Sequence, residues 1–236
     1  MKDSASLLNE IGPEIWVAEG PVLTALVGFS YPTRMTVIRL ASGELVLWSP
    51  VAYSSALHDA LRALGRLRYL VAPNTLHDSF IDQWIGAAPQ AALLAPPRLA
   101  EMRGDLPFSG ALEEPPAAWA GEISLQVIEG NAITDEVVAF HHPSGTVIFT
   151  DLIQQFPEDW FTGWRRQVAK LDLMTGAHPE VPRKFRSTFG DRKAARRALE
   201  TVLAWPAERL VMAHGPVIHS GAQAEIARAF RWLMRE

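Results

Sequence analysis

The sequence predicts an α+β fold, a sandwich of two sheets with helices packed outside them. Three observations carry it. Residues 35–40 and 45–48 are two apolar, β-branched runs joined by Ala41-Ser42-Gly43-Glu44, a hairpin signature. A second hairpin signature recurs at 136–141 and 146–150, around Pro143-Ser144-Gly145. Each hairpin is followed by strand–helix units, so the chain reads as two similar halves within one domain, 1–236.

Taken in order, residues 14–18 alternate at the two-residue period of a half-buried strand. The first hairpin has too short a connection for a crossover, so its strands are antiparallel. Residues 54–66 carry Ala56, Leu57, Ala60, Leu61 and Leu64 at helical spacing, with a serine to cap the start and Gly65 near the end. Residues 68–72 are a short apolar strand ending at Pro73-Asn74, and 78–84 has a helical pattern. A further strand at 91–95 leads through Pro96-Pro97 into a short helix at 98–103. Residues 104–120, rich in Pro, Gly and Glu, read as a surface excursion.

Strand character returns at 124–128 and stops at Gly130-Asn131. His141 and His142 fall at the tip of the second hairpin and read as a solvated turn. Helices follow at 160–170, 192–204 and 223–235, the first with Trp160 and Trp164 four apart and packing inward. One apolar strand, 209–213, interrupts them and runs into His214-Gly215-Pro216.

Composition limits the chemistry. The chain has 236 residues, 48% of them hydrophobic and 20% charged, which excludes a disordered or collagen-like chain. It has no cysteine, so disulfides, thiolate nucleophiles and zinc fingers are excluded, and any metal must sit on nitrogen and oxygen. Net charge is −4, which argues against nucleic acid as a partner. The basic run from Arg183 to Arg197 reads as a solvated face. No leader pattern is visible, and apolar stretches break well short of the about 18 residues a membrane span needs. The expectation is a cytoplasmic protein with a small-molecule ligand or substrate.

Polar residues collect just after predicted strands: Asn74, His77 and Asp78; Asn131; Asp151; and His214. Strand ends on one edge of a sheet converge, and imidazoles with carboxylates there suit one divalent ion such as Zn, Fe or Mn. Each residue also has an ordinary reading. Asp151 fits a turn or helix cap, His214 a hydrogen-bonded buried histidine, Asp78 the start of a helix, and Asn74 and Asn131 plain turns. His178, in a loop able to overhang the edge, is a further cleft candidate.

In this arrangement the chain resembles the metallo-β-lactamase-fold superfamily, from about Ile15 to about His219. The resemblance implies a four-layer αββα sandwich with mixed sheets. In that superfamily a strand ends in Thr-His-x-His-x-Asp-His; the matching stretch is Pro73-Asn74-Thr75-Leu76-His77-Asp78-Ser79. The third family histidine falls on Asn131. Phe149-Thr150-Asp151-Leu152 matches the metal-bridging aspartate, and Ala213-His214-Gly215 the final histidine. Asn74, Leu76, Ser79 and Asn131 stand where the family has histidines, so the motif is degenerate and the branch divergent. Two readings stay open. One is a metal-dependent hydrolase with a reduced, mononuclear site in which His77, Asp151 and His214 hold the ion and Asp78 is the general base. The other is a non-catalytic binding or interaction protein on the same fold, with a decayed metal site and no metal.

Overall fold

A computed structural model describes residues 7–235. The chain runs through β1 (Asn9–Gly12), β2 (Ile15–Thr24), β3 (Ser30–Arg39), β4 (Glu44–Trp48), α1 (Ser55–Leu64), β5 (Arg66–Val71), α2 (Ile81–Ala87), β6 (Ala92–Ala95), α3 (Pro97–Met102) and β7 (Phe108–Ala111). It continues through β8 (Ile123–Ile128), β9 (Glu136–His141), β10 (Thr146–Ile148), α4 (Gly163–Leu171), α5 (Arg183–Ser187), α6 (Arg192–Ala204), β11 (Arg209–Val211), α7 (Ala222–Ala229) and α8 (Arg231–Met234).

Among the described residues the strands form a seven-stranded sheet in the order β1-β2-β3-β4-β5-β6-β7 and a four-stranded sheet in the order β11-β10-β9-β8. Both are mixed. β1 to β4 pair antiparallel and β4 to β7 parallel. β8, β9 and β10 pair antiparallel, and β10 pairs with β11 in parallel.

Side-chain alternation divides each central strand between two cores. Ile15 and Val17 of β2, and Val46 and Trp48 of β4, meet Val137 and Ala139 of β9 and Val211 of β11 between the sheets. Trp16, Ala18, Leu45 and Leu47, the alternate residues, pack outward with Leu57 and Leu61 of α1 and Trp84 of α2. On the other side Val138 and Phe140 of β9 pack outward against Leu199 and Val202 of α6 and Ile226 of α7. Both faces of both sheets are covered, giving four layers, and the central strands read as apolar runs for that reason.

Local chemistry fixes several boundaries. Ser54 caps α1 by accepting from Leu57 N at 3.2 Å, and Asp191 caps α6 by accepting from Ala194 N at 2.9 Å. The first hairpin turns through Gly43 at φ +80°, a conformation that favours glycine.

The structure corrects several expectations. The strand expected at 14–18 starts at Ile15, after a turn through Glu14, and 15–18 are buried on both faces rather than half-buried. The helix expected from Asp78 starts at Ile81, because residues 75–80 form a loop that carries His77 back to the sheet edge. The excursion at 104–120 contributes β7 to the sheet, and its Leu112 and Trp119 are fully buried, Trp119 edge-on to Tyr69 with ring centroids 5.2 Å apart. The helix expected from Trp160 begins at Gly163, whose φ of +57° sets it off from the preceding turn; Trp164 then points outward and is 54% exposed. The last helix divides at Phe230 into α7 and α8.

His141 is the clearest reversal. It is fully buried, not at a solvated tip, while His142 is exposed. His141 Nδ1 lies 2.7 Å from Ser144 Oγ, which donates on to Thr146 Oγ1 at 2.7 Å, so the ring is the donor in the first bond. Its Nε2 is buried without a partner. Burial, with the neighbouring His142 charge, pushes the His141 pKa down to about 4. The unfolded chain therefore takes up a proton on this residue near its ordinary value of 6.5 while the folded chain does not. Stability should fall as pH drops from about 6.5 to about 4, by about 3 kcal/mol for this residue. Urea midpoints at neutral pH and near pH 4.5 should show that loss in the wild type, and His141→Gln should remove that share of it.

Candidate functional site

Three separate strand ends bring His77, Asp151 and His214 together. His77 lies in the loop after β5, Asp151 after β10, and His214 after β11. His77 Nε2 is 3.0 Å from Asp151 Oδ2, and His214 Nε2 is 3.2 Å from Asp151 Oδ1. The ligand atoms of the three all lie within 4.8 Å of one another. They sit at the carboxyl ends of parallel strands, where α/β sheets usually carry their sites.

Each group is aimed by a second contact. His214 Nδ1 is 2.9 Å from the Pro32 carbonyl, which only accepts, so that nitrogen carries the proton. His214 Nε2 in the neutral ring then presents a lone pair to the Asp151 carboxylate. Two acceptors at that separation need a proton or a cation between them. His77 Nδ1 is 2.6 Å from the Ser49 hydroxyl. Ser49 holds a left-handed backbone at φ +56°, rare for a residue with a Cβ. Its amide is tied to Val71 O at 2.8 Å, which fixes it across the end of β5.

Asp151 is supported from below by Glu136, at the start of β9. The buried Glu136 carboxylate accepts from three successive backbone amides: Thr150 at 2.8 Å, Asp151 at 2.8 Å and Leu152 at 2.9 Å. Burial, with the Asp151 charge, still pushes the Glu136 pKa up to about 7. Asn74 is fully buried, and its Nδ2 donates to Asp151 Oδ2 at 2.8 Å and to Thr150 Oγ1 at 2.9 Å.

The electrostatics separate the two histidines. Burial alone would lower His77, but the charge and hydrogen bond of Asp151 outweigh it and raise its pKa. For His214 burial prevails over the same partner, and the pKa is lowered. Burial works to raise Asp151, yet the two imidazoles hold it well below the usual carboxylate range.

Of the residues expected at this edge, the structure gathers His77, Asp151 and His214, with Asn74 in contact. It does not bring the others. Asp78 turns away to Arg103, with Oδ2 2.5 Å from its Nη1. Asn131 is buried as a brace, donating to Phe185 O at 2.8 Å and accepting from Ile133 N at 2.9 Å. His178 is 47% exposed on its side chain and faces Glu225 at 3.3 Å.

The group opens into a cleft of about 680 Å³ whose wall includes Leu23, Tyr31, Leu76, Phe80, Ile133 and Phe185. Ser49, Gln154 and Lys184 also line it, so the basic run is not wholly a solvated face. Lys184 Nζ is 2.9 Å from Tyr31 Oη. Sequence reasoning missed Ser49, Glu136 and Gln154. A serine after an apolar strand and a glutamate opening an otherwise apolar one are signals that could have found the first two.

The two covered sheets and the strand-end His-Asp-His group define the metallo-β-lactamase fold, with a site able to hold a metal ion. Solved structures of that fold match nearly the whole chain. A metallo-β-lactamase from Pontibacter korlensis is 13% identical with a TM-score of 0.62, over 97% of this chain and 99% of that one. One from Erythrobacter litoralis is 14% identical with a TM-score of 0.65, over 97% and 96%. A flavodiiron core from Synechocystis is 14% identical with a TM-score of 0.65, over 96% of this chain and 60% of that one. No curated protein matches the sequence. The chain belongs to the family described as a domain of unknown function (DUF4336), which matches residues 13–181. Among the described residues no helix is long and apolar enough to cross a membrane.

The support under Asp151 gives a direct test. Glu136→Ala leaves three buried amides without an acceptor, so it should lower the unfolding free energy by at least about 3 kcal/mol. Urea denaturation reads this, and a loss under about 1 kcal/mol would show that the amides find other acceptors.

Proposed function

We propose that the chain is a metal-dependent hydrolase with a mononuclear site, in which His77, Asp151 and His214 hold one divalent ion, Zn, Fe or Mn. The observation that carries this reading is the unprotonated His214 Nε2 aimed at the Asp151 carboxylate, an arrangement that a cation between them satisfies. The donor set of two nitrogens and one oxygen suits these metals, and three protein ligands leave a position open. A similar structure, the metallo-β-lactamase FIM-1 from Pseudomonas aeruginosa, is described in a mono-zinc form. A divalent ion in such a site polarises a carbonyl or phosphoryl oxygen and acidifies water.

The chain's own residues do the positioning. Pro32 O fixes the His214 tautomer, and Ser49 orients the His77 ring. Glu136 holds the Asp151 turn. The apolar wall of the cleft excludes water from a bound small molecule. Asp78, the general base expected from the sequence, is held by Arg103 and faces away from the group.

One observation favours the second reading, a non-catalytic binding protein. The Asn74 amide donates to Asp151 Oδ2, where the resemblance places a histidine, and it neutralises part of the carboxylate without any ion.

Metal analysis after supplementation separates the two. The hydrolase reading expects close to one equivalent of Zn, Mn or Fe per chain. His77→Ala, Asp151→Ala and His214→Ala should each weaken that binding by more than about 100-fold, and Ser49→Ala by about 10–100-fold through loss of His77 orientation. Clearly sub-stoichiometric metal in the wild type leaves the binding-protein reading.

A further inference from the structure

The apolar side chains of α4 face the wrong way for an ordinary surface helix. Trp164, Val168 and Leu171 are 54%, 41% and 68% exposed, and the one buried residue of the helix is Ala169. At 3.6 residues per turn the three fall within about 60° of one another, and Ala169 sits about 130° away on the side that meets the protein. A surface helix normally buries its apolar stripe; here the stripe is turned outward. Val27, 61% exposed on the turn after β2, adjoins it, since its carbonyl accepts from Arg165 Nε at 2.9 Å. The Arg165 guanidinium also lies 4.8 Å from the centre of the Trp164 ring, and Trp164 meets Phe29 edge-on at 5.9 Å. The indole is thus held in its outward place. Single exposed apolar residues are ordinary, but four gathered on one face mark an interaction surface.

The charges on α4 select what covers this face. Arg165, Arg166 and Lys170 share the helix with the stripe, Arg166 and Lys170 are exposed, and α4 carries no acidic residue. The acidic residues nearest in sequence, Glu158, Asp159 and Asp172, lie outside it, and Asp172 accepts from Lys184 N at 2.8 Å. We propose that α4 and Val27 form a peripheral docking surface for an anionic membrane. The stripe enters the boundary between headgroups and acyl chains, where an indole with one polar edge is well placed. Arg166 and Lys170, with long flexible stems, keep their charges among acidic headgroups while the stripe goes in. An acidic bilayer offers both halves of this complement at once, an apolar layer and the negative charge above it. A second copy docked through the same face by two-fold symmetry would set the cations against themselves. A stable protein partner covers about 800 Å² per side, more than these few side chains offer. The turn that carries Val27 follows Leu23, Thr24 and Ala25, which line the cleft, so docking brings the cleft beside the bilayer. The proposal is independent of the metal site.

The full chain is mixed with vesicles of phosphatidylcholine alone, or of phosphatidylcholine and phosphatidylserine at about 2:1, and binding is read by co-sedimentation. The wild type should bind the mixed vesicles about tenfold or more tightly than the neutral ones, with the difference shrinking at high salt. Arg166→Glu combined with Lys170→Glu should remove that preference. Trp164→Ser combined with Leu171→Ser should lower binding to the mixed vesicles by about tenfold or more. Val168→Ser combined with Leu171→Ser gives the same reading where the loss of Trp164 from Phe29 prevents folding. A wild type that stays off the mixed vesicles overturns the proposal and leaves the face to a protein partner. Binding that is unchanged in both the charge and the apolar variants also overturns it. So does a dimer in light scattering that Leu171→Ser dissociates, because a second copy then covers the stripe.

Discussion

The Asp151 carboxylate is the constraint on which the rest of the site depends. It is buried, it stays ionised chiefly through the charge of His77 beside it, and the two imidazoles that face it arrive from loops that follow β5 and β11. A lone buried carboxylate would be strongly unfavourable; His77 and the Asn74 amide, both on Oδ2, make it tolerable. Its place is fixed in turn by Glu136, one strand away, through the amides on either side of the Asp151 peptide. Two carboxylates lie close together here, and the field of one raises the other's pKa. The arrangement concentrates charge in a dry region, and the fold holds it there through backbone amides rather than mobile cations.

The layered architecture was legible because it rests on patterns a linear sequence displays. The Ser-Gly turn between 40 and 45, the cap at Ser54 and the apolar run before Asp151 each have local causes. The both-face burial of 15–18 was less visible, since alternation alone cannot tell a half-covered strand from a fully covered one. Residues 104–120 misled for a related reason: Pro and Gly mark irregular backbone, and burial of Leu112 and Trp119 is decided by a distant sheet edge. His141 was misread because a histidine beside a turn is ordinarily solvated, and only Ser144 folding back beneath it supplies the buried partner.

At the site, strand ends predicted which residues meet but not which way they face. Asp78 and His77 are neighbours with opposite fates: His77 turns in to Ser49 and Asp151, while Asp78 turns out to an arginine 25 positions later. Nothing local decides that. The same holds for Asn74, an ordinary turn residue by composition whose amide ends against Asp151. Gln154 was silent because what marks it, a buried amide in the cleft wall, is revealed only by the folded chain.

The order in which β10 and β11 join their sheet has one more consequence. These parallel neighbours are separated in sequence by the whole of α4, α5 and α6, and they carry Asp151 and His214 at their ends. Such a long-range pairing forms only after a large loop has closed, and contacts of that kind tend to be late in folding. Up to residue 205 the chain contains the segments of both hairpins, α6 and the Asp151 turn, yet lacks the strand that completes the edge. Until β11 docks, one oxygen of a desolvating carboxylate has no imidazole to face. The site is therefore a marker of finished folding, present only in chains whose last strand has found its register.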